Sequence, residues 1–79
     1  MNGAKRTYYA TRTPFYPSKG MIYENEGGGK FKCIKEELTH PTMQNIYTGW
    51  TFTACGTGIY RDGKIDWDYS INGHFENPE

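Results

Sequence analysis

The segment running from Trp50 to Ile71 constrains the fold more than any other part of the chain. It reads Trp-Thr-Phe-Thr-Ala-Cys-Gly-Thr-Gly-Ile-Tyr, passes through Arg61-Asp62-Gly63-Lys64, and returns as Ile-Asp-Trp-Asp-Tyr-Ser-Ile. Large apolar residues alternate with small or polar ones on both sides of an Asp-Gly pair. Successive side chains of a strand point to opposite faces, so a period of two describes two half-buried strands. Asp-Gly accepts the positive φ of a two-residue type I′ turn. Counting outward from such a turn pairs Tyr60 with Ile65, Gly58 with Trp67, Gly56 with Tyr69 and Ala54 with Ile71.

In that register one face carries Trp50, Phe52, Ala54, Tyr60, Ile65, Trp67, Tyr69 and Ile71, and the other Thr51, Thr53, Cys55, Thr57, Ile59, Asp66, Asp68 and Ser70. Gly56 and Gly58 leave bare backbone under Tyr69 and Trp67, where a large ring can lie. A slip of one residue would turn Asp66 and Asp68 inward, so the register is specified by burial. The ring-bearing face is expected to be core rather than a stacking platform for bases or sugars, because so short a chain has few other apolar side chains to bury.

Composition supports the same class. Among 79 residues Val is absent and Leu occurs once, at Leu38, while thirteen residues are aromatic and ten are Gly. Helices draw on Leu, Ala, Glu and Lys, whose side chains lose little freedom there. Rings, Ile and Thr suit a pleated surface. The rings also argue against disorder, since each is a large apolar payload. The length allows one domain, 1–79. Its expected fold is mainly β, a small twisted antiparallel sheet of four or five strands with little or no helix, which can close into an SH3-like or OB-like roll.

The other strands are expected near 20–25 and 30–36, joined by Gly27-Gly28-Gly29, with 50–60 and 64–71 forming the hairpin. A first strand is expected near 6–11. Pro14 and Pro17 make Thr13 to Ser18 a loop or an edge. Pro41 prevents a continuous helix across 36–49, leaving one helical turn or a crossover strand at Thr42 to Tyr47. The triple glycine is a turn and not a phosphate loop, because Gly29-Lys30 is followed by Phe31 where Ser or Thr is needed.

Chemistry-bearing patterns are sparse. There is no HExxH, nucleophile elbow or Ser-His-Asp grouping, so the expectation is a non-enzyme without cofactor or metal. A zinc site would have to join Cys33 and Cys55 to His40 and His74 without any paired spacing. The opening residues lack the apolar stretch of a secretory signal, and no run could cross a bilayer as a helix, so a cytoplasmic protein with two reduced thiols and no membrane association is expected. Asp66 and Asp68 lack the further ligands that acid–base chemistry or a divalent cation would need.

Charge is informative by its distribution. Net charge is zero. Residues 1–35 hold seven basic groups (Lys5, Arg6, Arg12, Lys19, Lys30, Lys32 and Lys35) against Glu24 and Glu26, a balance of +5; residues 36–79 carry −5. Two readings follow. Asp62, Asp66, Asp68, Glu36 and Glu37 form an acidic face that docks on a basic surface of a host protein, where complementary charge sets rate and specificity. Alternatively, the basic aromatic arm 1–19 binds single-stranded nucleic acid, with Lys5, Arg6, Arg12 and Lys19 on phosphates and Tyr8, Tyr9, Phe15 and Tyr16 on bases. An exposed edge strand would in addition permit a homodimer.

The stretches Thr48-Gly49-Trp50-Thr51-Phe52-Thr53-Ala54, Tyr60 to Ser70 and Gly73-His74-Phe75 resemble the C-terminal part of short uncharacterised proteins of bacterial phages and other mobile elements. The resemblance covers under half the chain. It implies a bacterial accessory protein and no catalytic residues. By analogy it implies a protein that binds and modulates or inhibits a host protein, such as a defence nuclease, in an anti-CRISPR-like role.

Overall fold

A computed structural model describes residues 12–78. These form eight strands: β1 (Thr13–Pro14), β2 (Ile22–Glu24), β3 (Lys30–Lys35), β4 (Thr42–Asn45), β5 (Trp50–Cys55), β6 (Gly58–Ile59), β7 (Ile65–Asp66) and β8 (Tyr69–Phe75). They build two antiparallel sheets, one of five strands in the order β2-β3-β4-β5-β8 and one of three in the order β1-β6-β7. The described residues contain no helix. The expected mainly-β class is thus observed, divided between two sheets.

Both long arms of the expected hairpin break in the middle. Gly56, at φ 77°, turns the chain out of β5 and into β6. Residues 67 and 68 make the matching corner between β7 and β8. One hairpin therefore contributes to both sheets and folds the small one over the large one. A parallel bridge from Asn25 to Ile65 ties the sheets at the opposite side.

The core lies between the two layers. Phe31, Cys33, Met43, Phe52 and Ala54 rise from the large sheet and meet Ile65 from the small one; Phe15, Tyr23, Ile59 and Trp67 pack around them. Direct pairing of Cys33 with Met43 and of Met43 with Phe52 puts these three on one face. Rings supply the bulk that aliphatics supply elsewhere. Trp67 lies 5.1 Å from both Phe31 and Phe52, and Phe31 meets Phe52 edge-on at 5.8 Å. Each buried side chain of this size contributes about 1.5–3 kcal/mol. On the opposite face of the large sheet Gln44, Thr51 and Cys55 are also buried. The C-terminal segment helps to cover it, since the Gln44 amide donates to the Glu76 carbonyl at 2.8 Å.

Three expectations are corrected. First, the hairpin register differs by one residue. Ile59 pairs with Ile65, Gly58 with Asp66, Cys55 with Tyr69, Ala54 with Ser70 and Thr53 with Ile71. The loop has three residues instead of two. The Tyr60 N–H donates to the Lys64 carbonyl and the Gly63 N–H to the Tyr60 carbonyl, both at 2.9 Å. A type I′ turn needs positive φ at both Asp62 and Gly63, and only Gly63 has it, at 87°. The Asp62 carboxylate instead accepts the Lys64 N–H at 3.0 Å. The Asn25–Gly29 turn repeats this geometry, with Gly28 at φ 87° in the place of Gly63.

Second, the ring-bearing face is not all core. Phe52, Ala54 and Ile65 are buried, but Tyr69 is 60% and Ile71 42% exposed. Thr51, Cys55 and Thr57, expected on the polar face, are buried. Third, the bare glycines serve other side chains. Gly56 makes room for the Asp68 carboxylate and Gly58 for the Arg12 stem; the glycines that lie against rings are Gly73, under Trp50, and Gly29, beside Phe31. Of the two alternatives for Thr42 to Tyr47 the strand is observed, as β4, which pairs with its sequence neighbours β3 and β5. The expected strand near 6–11 lies outside the described residues. Thr13 and Pro14 do form an edge, paired with Ile59 and Gly58.

Candidate protein-interaction surface

The two charged halves of the chain meet at Arg12. Its side chain crosses the bare backbone of Gly58 and reaches the far side of the small sheet. There one guanidinium nitrogen hydrogen-bonds Asp68, and the other lies 3.7 Å from Asp66. The Asp68 hydrogen bond, with the charges of both carboxylates, outweighs the cost of partial burial and holds the guanidinium above its ordinary pKa. Asp66 also accepts the Trp67 N–H at 2.8 Å and the Tyr60 hydroxyl at 3.4 Å. The two aspartates are therefore fixed in place by one shared cation.

Glu36 and Glu37 follow β3 and are held in a similar way. Glu36 accepts the Lys19 N–H at 2.7 Å, and Glu37 lies 3.5 Å from the Lys35 ammonium. Backbone hydrogen bonds stitch the intervening segments together: Gly56 N–H to the Thr39 carbonyl at 3.3 Å, and Phe15 N–H to the Thr57 carbonyl at 3.2 Å. The Thr57 hydroxyl returns a bond to the Phe15 carbonyl at 2.7 Å. Acids separated by some thirty positions in sequence are thereby mounted on one continuous surface.

Two open grooves lie side by side on that surface. One, of about 290 Å³, is lined by Arg12, Pro14, Tyr16, Leu38, Thr39, Gly56, Thr57 and Asp68. The other, of about 340 Å³, is lined by Tyr16, Pro17, Ser18, Glu36, Glu37 and Leu38. Tyr16 and Leu38 belong to both and stand out from the surface, 56% and 74% exposed. The result is an apolar ledge with Asp68 and Arg12 on one flank and Glu36 and Glu37 on the other.

Of the acidic set, Asp68 lines one groove and Glu36 and Glu37 the adjoining one, while Asp66 shares Arg12 with Asp68. Asp62 lies in the Tyr60–Lys64 turn, where its carboxylate organises the loop. Of the basic aromatic set, Lys5, Arg6, Tyr8 and Tyr9 lie outside the described residues. Arg12 is engaged by Asp66 and Asp68, and Phe15 packs on the core, edge-on to Tyr23 at 5.3 Å. Tyr16 and Lys19 are exposed. Sequence reasoning missed Leu38. Its signal is that the single Leu of the chain sits between Glu37 and Thr39 in an irregular, polar stretch, where no periodicity gives it a core position.

Among the described residues, no three of His, Cys, Asp or Glu are grouped to hold a metal ion. Cys33 and Cys55 are both buried free thiols. No helix of the described residues is long and apolar enough to cross a membrane. No protein-family model matches the chain, and no curated protein or solved structure is significantly similar to it.

Proposed function

We propose that this protein is a non-enzymatic interaction module whose Tyr16–Leu38 ledge receives a cationic, partly apolar segment of another protein. The observation that carries this reading is the sharing of Tyr16 and Leu38 by two adjoining grooves with carboxylates on both flanks. Exposed apolar side chains supply the desolvated centre of an interface, and the acids supply charge complementarity at its rim. The resemblance to small phage and mobile-element proteins favours a host protein as the partner. Inhibition or modulation of that host protein, a defence nuclease among the candidates, is the corresponding role.

Protein is favoured over nucleic acid because Arg12 and Phe15, two of the proposed phosphate- and base-binding residues, are already engaged within the fold. Peptide display on the immobilised chain tests the reading. Enriched peptides are expected to carry Lys or Arg on both sides of an apolar residue. Tyr16→Ala with Leu38→Ala should abolish the enrichment, and Glu37→Lys should weaken it. An absent consensus, or one indifferent to these changes, overturns the reading. Salt-sensitive retention of single-stranded RNA on a filter would transfer the function to the basic N-terminal residues.

A further inference from the structure

A separate surface lies at the end of the large sheet. β8 is its last strand, with no neighbour beyond it among the described residues. All seven of its residues, Tyr69–Phe75, are exposed. An open edge presents unpaired N–H and C=O groups to any strand that can reach them. The residues on this edge are not those that normally discourage pairing. Tyr-Ser-Ile-Asn-Gly-His-Phe contains no Lys, Arg, Asp, Glu or Pro. The one protective device is a bulge, marked by Asn72 at φ 56° and a shift in pairing with β5 between Thr51 and Thr53.

Apolar side chains border the edge on both faces of the sheet. Tyr69 and Ile71 pair with Cys55 and Thr53 on the outer face, while Trp50 and Phe75 pair on the core-side face and meet at 4.8 Å. Their exposures are 60%, 42%, 39% and 72%. At about 150–250 Å² for a whole aromatic side chain, these four expose roughly 400 Å² per copy. Doubled by symmetry, roughly 800 Å² of apolar surface borders the joined edges, and pairing covers the part of it that faces the partner strand, an interface at the small end of the specific range.

We infer that two copies of the chain associate by antiparallel pairing of β8 with β8, making one continuous sheet across the pair. The strand holds no Lys, Arg, Asp or Glu, so identical edges meet without those charges opposing one another inside it. The other edge of the sheet is closed to such growth. β2 has three residues, Glu24 lies 3.8 Å from Lys30 and 3.3 Å from Lys64, and Asn25 bridges to Ile65. Among the described residues β8 is the one long open edge, since the edge strand β1 of the small sheet has two residues and carries Pro14, so association is isologous and stops at two.

Sedimentation equilibrium of the full chain, with Ile71→Lys and Phe75→Lys as separate variants, tests this. Wild type should approach twice the 9.1 kDa chain mass as concentration rises. Each variant should raise the dissociation constant roughly tenfold or more, because a lysine would have to be desolvated at the edge. Circular dichroism should leave both variants folded, since both positions are exposed. Amide exchange at Tyr69–Phe75 should slow with wild-type concentration. A wild type that stays monomeric at millimolar concentration overturns the inference. So does a dimer that both lysine variants leave intact.

Discussion

The Trp50 ring lies over the bare backbone of Gly73, across the β5–β8 pair. A Cβ at Gly73 would overlap the six-membered part of that ring, so the glycine is required by close approach. Trp50 is 39% exposed and can swing outward, which limits the damage. Gly73→Ala is expected to cost about 1–2 kcal/mol, with a red shift in tryptophan emission as the ring enters water. Urea unfolding and fluorescence measure the two effects. An unchanged midpoint with unchanged emission would show that the ring does not cover Gly73.

Arg12→Ala removes the cation shared by Asp66 and Asp68 together with the stem that covers Gly58. Partly exposed ion pairs are worth little individually, and the lost packing adds to them, so the expected loss is about 1 kcal/mol. Arg12→Lys should recover only part of it, because an ammonium cannot present a planar fork to two carboxylates. The Arg12→Ala deficit should shrink in high salt, where the charge contribution is screened while the packing loss remains. Denaturant melts at low and high salt provide the check.

Gly63 supplies the positive φ that closes the three-residue loop between Tyr60 and Lys64. Space around it is open, so the penalty for a side chain is conformational. Gly63→Ala is expected to cost about 1 kcal/mol and Gly63→Asn less, since Asn tolerates the left-handed region better. Cross-strand NMR contacts should pair Ile59 with Ile65. Contacts pairing Tyr60 with Ile65 would instead indicate the two-residue turn.

Cys33 is fully buried, and its thiol points toward the carbonyls of Pro17 at 3.8 Å and Lys35 at 3.6 Å. Burial raises its pKa above the ordinary 9.0. The folded chain therefore holds this proton more tightly than the unfolded chain. The resulting stabilisation is complete below pH 9.0 and declines as pH rises through the higher folded-state value. Cys33→Ala should show a shallower alkaline loss of stability than wild type, read as the difference between two pH-stability curves. Parallel curves would refute the assignment.

Much of the fold is legible in local pattern. The rings, the glycine-bearing turns at 26–29 and 61–63, and the alternation along Trp50–Ile71 all announce antiparallel β structure. They do so because a strand's period of two and a turn's need for positive φ are properties of neighbouring residues. The candidate surface was half legible. Asp66, Asp68, Glu36 and Glu37 stand out as acids in sequence, but nothing local links the two pairs or adds Tyr16 and Leu38 to them.

The sequence by itself determined the class of structure, the places where the chain turns and the split of charge between its halves. Tertiary structure decided the phase of the hairpin, because Asp62 bonds the Lys64 N–H and leaves Gly63 alone with positive φ. It decided which rings are core, because the corner at Gly56 sends Trp67 and Ile65 inward and leaves Tyr69 and Ile71 at an open edge. It also decided that Arg12 answers Asp66 and Asp68, a contact across more than fifty residues that depends on β1 pairing with β6 beside β7. Periodicity is local, whereas phase, burial and charge pairing depend on what lies across the sheet.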